Sequence, residues 1–342
     1  MKQLRAILAG KIRSPYVIAE ISANHGGSIE KAKTLIRSAM SAGADAIKLQ
    51  TFTADTITVN SSEHANYIPG SSQLWSGRNL WELMKEAETP LDWHQELFGY
   101  ATSLGLEVFS TAYDLEAAIF LESSGIEAIK VSSFDLINIP LLNYLSSRDL
   151  LVLISTGMSK TNEIEMVTKI FENKKSTTAF LQCTSSYPCA ITDVNINRHD
   201  LLKSFGFITG YSDHTLDSTA AVLAIAKGAL IFEKHITLAG EETLDSGFSM
   251  DEDQFRLYVD TIRNAFMALG DSDFSPTQAE SASLWERPSV IALKEISVGD
   301  CLTRDNIGIR RPNIGADPIF FDELIGKHSQ YKLSEGQGYP KP

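Results

Sequence analysis

Several apolar stretches of this sequence end in side chains that are costly to bury. "LIFEKHITL" (residues 230–238) carries Glu233, Lys234 and His235 in a row, and "GYSDHT" carries Ser212 and His214. "AIKLQT" carries Lys48 and Gln50, and "AIKVSS" carries Lys130, Ser132 and Ser133. An ionisable group in an apolar setting must be paired, shifted in pKa or bound to a metal. If each stretch is a strand, alternate side chains share a face, so Glu233 and His235 point one way and Lys234 the other.

Two chemistries fit these residue types. Lys48 and Lys130, with the hydroxyls of Thr111, Ser133, Ser155 and Ser212, suit a phosphate or carboxylate, the lysines as point charges and the hydroxyls as donors. The plainer reading has the lysines lying along apolar surface with wet heads and the hydroxyls capping helix starts. His214 and His235 suit a divalent metal that keeps positions open for substrate or water, with the neighbouring acids Asp213 and Glu233 as supporting partners. The plainer reading is a pair of imidazoles hydrogen-bonded in place. Glu20, in "IAEIS", either orients a substrate hydroxyl and moves a proton or pairs with a lysine of the same core.

The elements that would position these groups are visible as alternation. Strand-like runs occupy residues 16–22, 45–51, 106–111, 127–133, 150–156, 178–184, 205–212 and 229–235. Helical patterns lie between them: one opens at Ser28 and stops at Gly43, another runs from Asp114 to Gly125, and "STAAVLAIAKG" ends at Gly228. Eight such units predict a (β/α)8 TIM barrel, although an open doubly wound sheet shows the same alternation. Polar residues gather at the C-terminal ends of all eight runs, Tyr187 just past the sixth among them, which is where such a barrel carries its active site. The connection over residues 52–89 is far longer than a usual strand-to-helix loop and reads either as a substrate lid or as a surface or oligomer-contact excursion. Residues 1–270 therefore form a catalytic domain, 271–282 a polar linker, and 283–342 a small domain that must lean on something to be stable.

Composition narrows the partners. The 342 residues carry a net charge of −13, all of it outside residues 281–342, which argues against nucleic acid or an anionic membrane surface. No apolar run approaches a bilayer span, and the N-terminus lacks an apolar stretch with a cleavage site, so the expected location is cytoplasmic. Cys183, Cys189 and Cys301 have neither a disulfide framework nor zinc-ligand spacing, and Cys183 reads as a small buried residue.

Taken in order, "IAEISANHGG", "AIKLQT", "FSTAYD", "IKVSSF", "ISTGM", "CTSSYP", "GYSDHT" and "EKH" resemble the sialic acid synthase family, over about residues 14 to 335. "LQTFTADTIT", "LWSGRNLWELMKEAETPLDWH" and "LDSGFS" place the likeness in its pseudaminic acid synthase branch; N-acetylneuraminate and legionaminic acid synthases share the other motifs. The resemblance implies condensation of phosphoenolpyruvate with the open-chain aldehyde of an acylated amino sugar, 2,4-diacetamido-2,4,6-trideoxy-L-altrose for that branch. It implies that Lys48, Thr111, Lys130, Ser133, Ser155 and Ser212 hold phosphoenolpyruvate. His214 and His235 would hold a divalent metal, typically Mn2+, with Mg2+ or Co2+ as substitutes. Glu20 would serve the reacting centre, Glu233 the metal or the reacting water, and Gln50, Tyr187 and Asp245 the sugar. The last domain resembles an antifreeze-like (SAF) domain, whose Arg311 in "IRRPNIG" would reach the partner's site in a domain-swapped homodimer. Four positions depart from the family pattern: Ala112 and Tyr113 stand for Pro and Phe, Ser185 for the Asn of the neuraminate branch, and Asn313 for Gly. Two other classes remain open on the same residues, a Schiff-base aldolase using Lys48 or Lys130, and a sugar-binding protein on a retired barrel.

Overall fold

The computed structural model describes residues 1–69 and 74–341. Residues 70–73, inside the long connection, and residue 342 lie outside the described residues. The chain divides into two compact units, Met1–Gly270 and a second from Asp271 onward.

In the first unit the eight apolar runs are eight parallel strands: β1 (Tyr16–Glu20), β2 (Ala46–Thr51), β3 (Glu107–Ala112), β4 (Ala128–Val131), β5 (Leu151–Ser155), β6 (Thr178–Cys183), β7 (Ile208–Asp213) and β8 (Ile231–His235). They pair in sequence order and close, β8 on β1, so the barrel is formed and the open sheet is not. Burial on both faces explains why the runs read as continuous rather than alternating: β1, β4, β5, β6 and β8 are buried at every position. Helices close the outside. Ile29–Ser41 buries Ala32, Leu35, Ile36 and Ala39, the spacing of one helical face, and its N-cap Ser28 accepts from the Lys31 amide at 3.3 Å. Asp114 caps Leu115–Ser123 in the same way, and Thr219–Lys227 ends on Gly228 at φ +101°, a conformation that suits glycine. At Gly210 in β7 any Cβ would lie 2.4 Å from the Ile231 carbonyl oxygen, so glycine allows β8 to approach.

The first residues form a helix that the alternation did not foretell. Lys2–Leu8 buries Leu4, Ile7 and Leu8 in the barrel's core cluster, and the Glu107 carboxylate accepts from the Gln3 and Leu4 amides. The described part of the long connection is also ordered: Ala54–Ile57 and Leu80–Ala87 are short helices, and Tyr67 bridges Asn79. Asn79 caps the second helix and donates to the Ser61 carbonyl at 2.9 Å.

The second unit contains an antiparallel pair, β9 (Ser289–Ala292) and β10 (Ile307–Arg310). Its core is small, built on Val290, Ala292, Ile296, Leu302, Ile307 and Leu333. The segment before β9 is largely exposed and includes a short capped turn, Gln278–Ser281. Among the described residues no helix is long and apolar enough to cross a membrane.

Candidate active site

The C-terminal ends of the eight strands surround a cavity of about 890 Å3. Register gathers its polar groups. Glu20 lies beside Lys48 across β1–β2 and beside His235 across β1–β8, Gln50 beside Thr111, Thr111 beside Lys130, and Ser212 beside Glu233. Glu20, Lys48, Gln50, Thr111, Lys130, Ser133, Ser155, Tyr187, Ser212, His214, Glu233, His235 and Asp245 all line the cavity, although they come from eight strands and their loops. Arg311 belongs to the second unit, where its side chain is 72% exposed and lies 3.7 Å from the Glu286 carboxylate. The long connection supplies one wall through Phe52, Ile57, Leu83 and Met84.

The two lysines are not free charges waiting for an anion. Lys48 contacts the Glu20 carboxylate, donates to Thr111 Oγ1 at 2.7 Å and lies 3.6 Å from Glu233. Lys130 is 3.2 Å from Glu233, which also accepts from the Ser212 hydroxyl at 3.2 Å. For Glu20, pairing with a lysine of the core is therefore what its carboxylate does here. Burial pushes the Lys48 ammonium down to about 7, against the pull of Glu233. Burial would raise the Glu233 carboxyl, but Lys130 and then Lys48 overcome it and hold the group at about 2, so it is ionised at neutral pH. An arriving phosphate or carboxylate must compete with Glu233 and Glu20 for these cations. Two features favour it. Among the described residues the buried Ser155 hydroxyl has no hydrogen-bond partner, an unmet demand in the wall of the same cavity. Ser133 accepts from the Gly157 amide at 3.0 Å, a contact that needs glycine, because a Cβ at 157 would lie 2.8 Å from that hydroxyl.

Both histidines line the cavity and are held through Nδ1. His214 Nδ1 donates to the Thr184 carbonyl at 3.0 Å. His235 Nδ1 lies 3.2 Å from Ser22 Oγ, whose own proton goes to Asp245 Oδ2 at 2.5 Å, so Ser22 accepts from the imidazole. Among the described residues neither ring's Nε2 has a hydrogen-bond partner, and the rings are 5.4 Å apart between centroids. Burial would lower the His214 pKa, but Cys183 and the Thr184 carbonyl raise it. Burial first, then His214 and the lysines, push His235 well below its ordinary pKa, which keeps it neutral. Among the described residues no group of three or more His, Cys, Asp or Glu converges as a metal cluster. The donors on offer are two imidazoles, a set that fits a metal taking its remaining positions from water and substrate.

The expectation that Asp213 and Glu233 support the imidazoles is corrected. Asp213 points out of the barrel interior, 3.6 Å from Lys234, and accepts from the Thr215 amide and hydroxyl, both at 2.8 Å. Glu233 faces the lysines. Strand alternation explains the first, since Asp213 and His214 are neighbours in sequence and take opposite faces. Glu233 shares the face of His235 but is taken up by Lys48, Lys130 and Ser212 across the barrel. The supporting partners are instead Thr184, Ser22 and Asp245. Ser22 was not singled out from sequence; its signal is its place two residues after Glu20, where it takes φ +39° and its amide donates to Glu20 Oε1 at 2.9 Å. Phe248, also missed, has its ring centre 5.0 Å from that of Tyr187, tilted, and 4.8 Å from that of His235, edge to face. Cys183 is buried as expected but also lines the cavity, 3.8 Å from His214 Nδ1.

Comparison with known proteins gives a consistent set of likenesses. The NeuB family model matches residues 35–274 and the SAF domain model residues 287–338. A pseudaminic acid synthase of Campylobacter jejuni is 37% identical over 324 residues, 94% of each chain. An N,N'-diacetyllegionaminic acid synthase of Legionella pneumophila is 33% identical, over 96% of this chain and 94% of its own. The crystal structure of an N-acetylneuraminic acid synthetase from Leptospira borgpetersenii, in complex with citrate, superposes with a TM-score of 0.70 at 30% identity, covering 79% of this chain and 90% of that one.

Proposed function

This chain belongs to the NeuB family, and from that premise we propose that it condenses phosphoenolpyruvate with the open-chain aldehyde of an acylated amino sugar. The products are a nine-carbon 2-keto sugar acid and phosphate. The observation that carries the reading is the meeting, in one cavity, of a lysine–hydroxyl cradle with a Ser155 hydroxyl and two imidazole Nε2 atoms that have no hydrogen-bond partner among the described residues. The sugar we assign is 2,4-diacetamido-2,4,6-trideoxy-L-altrose, because identity is higher to the pseudaminic acid synthase than to the legionaminic acid synthase.

In this reading Lys48, Lys130, Thr111, Ser133, Ser155 and Ser212 bind phosphoenolpyruvate through its phosphate and carboxylate. A carbon–carbon bond forms between C3 of phosphoenolpyruvate and the aldehyde carbon, the aldehyde oxygen takes a proton, water adds at C2, and the resulting centre expels phosphate as the ketone forms. His214 and His235 would hold a divalent metal, manganese in this proposal, which when bound polarises the aldehyde oxygen. Glu20, in contact with Lys48, and Glu233, held ionised by Lys130 and Lys48, stand ready to orient water and take its proton. Gln50, Tyr187 and Asp245 would position the sugar, and the two lysines keep the developing charge matched without solvent. We further assign a homodimer in the cytoplasm in which Arg311 of one subunit completes the site of the other.

The test is phosphate release from phosphoenolpyruvate with manganese and a panel containing N-acetylmannosamine and the trideoxy sugar, each with and without a chelator. Release with the trideoxy sugar alone, abolished by chelator, is the expected result. No release with any sugar overturns the reading. One observation favours a second reading: an ammonium pushed down to about 7 at Lys48 is the state of a Schiff-base lysine. Borohydride trapping with a 2-keto acid, lost in Lys48→Arg, would establish it.

A further inference from the structure

One side of the cavity takes no part in the condensation outlined above. Phe52, Ile57, Leu83 and Met84 line it from the connection after β2, Leu244 from the loop after β8, and Tyr113 from the end of β3. Phe52 is buried with Ala23 and Ala87 in a small apolar cluster of its own, and Ile57, Met84, Tyr113 and Leu244 pack against that cluster. The Tyr113 and Phe52 rings meet edge to face at 5.0 Å. The Tyr113 phenol is pushed well above its ordinary pKa, by burial and then by Asp135, Asp245 and Glu233 among its neighbours, so it stays protonated. Tyr113 opens on the cavity, and none of the hydrogen bonds found among the described residues involves its hydroxyl.

A sugar hydroxyl seated on such a wall would lose its water without gaining a partner, which is unfavourable. An apolar patch beside one unshared O–H donor suits a group with a methyl at one end and a carbonyl oxygen at the other. We infer that this wall is the subsite for an N-acyl group of the amino sugar, its alkyl end on Ile57, Leu83 and Met84 and its carbonyl oxygen accepting from the Tyr113 hydroxyl. This rests on the reading of the chain as an amino-sugar condensing enzyme and goes past it by naming what reads the acyl group.

The experiment uses the full chain with manganese and phosphoenolpyruvate and 2,4-diamino-2,4,6-trideoxyhexoses carrying acetyl, butanoyl or no acyl groups. Phosphate release is measured for the unaltered chain, Tyr113→Phe, Ile57→Ala and Met84→Ala, each first shown to be folded by its thermal transition. Tyr113→Phe should raise KM for the acetylated sugar about tenfold and leave KM for phosphoenolpyruvate and turnover of the free amine within about twofold. Ile57→Ala and Met84→Ala should shift preference about tenfold from acetyl towards butanoyl. Unchanged acyl preference in all three variants, or an equal rise in KM for phosphoenolpyruvate, overturns the inference and leaves the condensation standing. Inactivity of the unaltered chain with every sugar removes both.

Discussion

Replacing Lys234 by methionine should unfold the barrel early without touching the cavity. Lys234 is wholly buried, with its ammonium 3.6 Å from Asp213 Oδ1, beneath the Thr215 carbonyl to which it donates, and 5.6 Å from the centre of the Tyr258 ring. Asp213 is also buried, and among the described residues its Oδ2 has no hydrogen-bond partner. Removing the cation leaves a carboxylate in an apolar layer with Thr215, and the nearby phenols of Tyr211 and Tyr258, to answer it. Breaking a buried pair in this way costs about 3–5 kcal/mol. For a unit of this size that lowers Tm by roughly 6–20 °C. The double variant Lys234→Met/Asp213→Asn removes both charges and keeps the acceptor for Thr215, so it should recover at least about 2 kcal/mol of the loss. Urea unfolding of the two single variants and the double, followed by circular dichroism, measures the cycle. A loss below about 1 kcal/mol for Lys234→Met, or no recovery in the double, would refute the claim that this pair holds the ends of β7 and β8 together.

Three further outcomes are expected. Ser155→Ala removes a hydroxyl that bonds nothing among the described residues, so stability should stay within about 0.5 kcal/mol while KM for phosphoenolpyruvate rises about tenfold or more; a stability loss without a KM change would count against the anion cradle. Glu233 is held below its unfolded pKa, so it contributes stability that is fully present above pH 4.5 and lost as pH falls through about 2. Glu233→Gln should therefore cost more stability at pH 7 than at pH 3, and equal losses at the two would contradict the assignment of its partners. If Arg311 acts in the partner's site, mixing inactive Arg311→Ala chains with inactive His235→Ala chains should restore up to about a quarter of normal activity in mixed dimers that carry one intact site; no restoration would place Arg311 elsewhere.

Much of this arrangement could be read from residue order because a strand's alternation is strict. Lys48 with Gln50, Glu233 with His235 and Lys234 opposed to both follow from period two alone, and the structure places them so. The same rule, had it been applied to "SDH", would have turned Asp213 away from His214. What alternation cannot supply is the identity of partners across strands. That Glu20 meets Lys48, and that Lys130 meets Glu233 more than a hundred residues away, depends on register, which is set by barrel closure. Ser22 and Phe248 were missed because their value lies in loops whose paths are tertiary facts. The helix Lys2–Leu8 was missed because its short apolar face, Leu4, Ile7 and Leu8, has meaning only against the core it joins.

The pairing of β1 with β8 also bears on how the protein is made. Glu20 and His235 are opposite one another across that seam, yet they leave the ribosome more than two hundred residues apart. Seven strands of the barrel can exist while the last rung, with both the eighth strand's carboxylate and its imidazole, is still missing. Long-range closure of this kind makes folding slow and leaves two unpaired strand edges exposed until it happens. A ligand that grips groups on both sides of the seam binds only the closed form, so its affinity is at the same time a measure of closure. Substrate supplied during refolding should raise the yield of closed barrel, and a permuted chain that joins β8 to β1 and opens between two other strands would leave this rung intact in space while reversing the order in which its halves are synthesised.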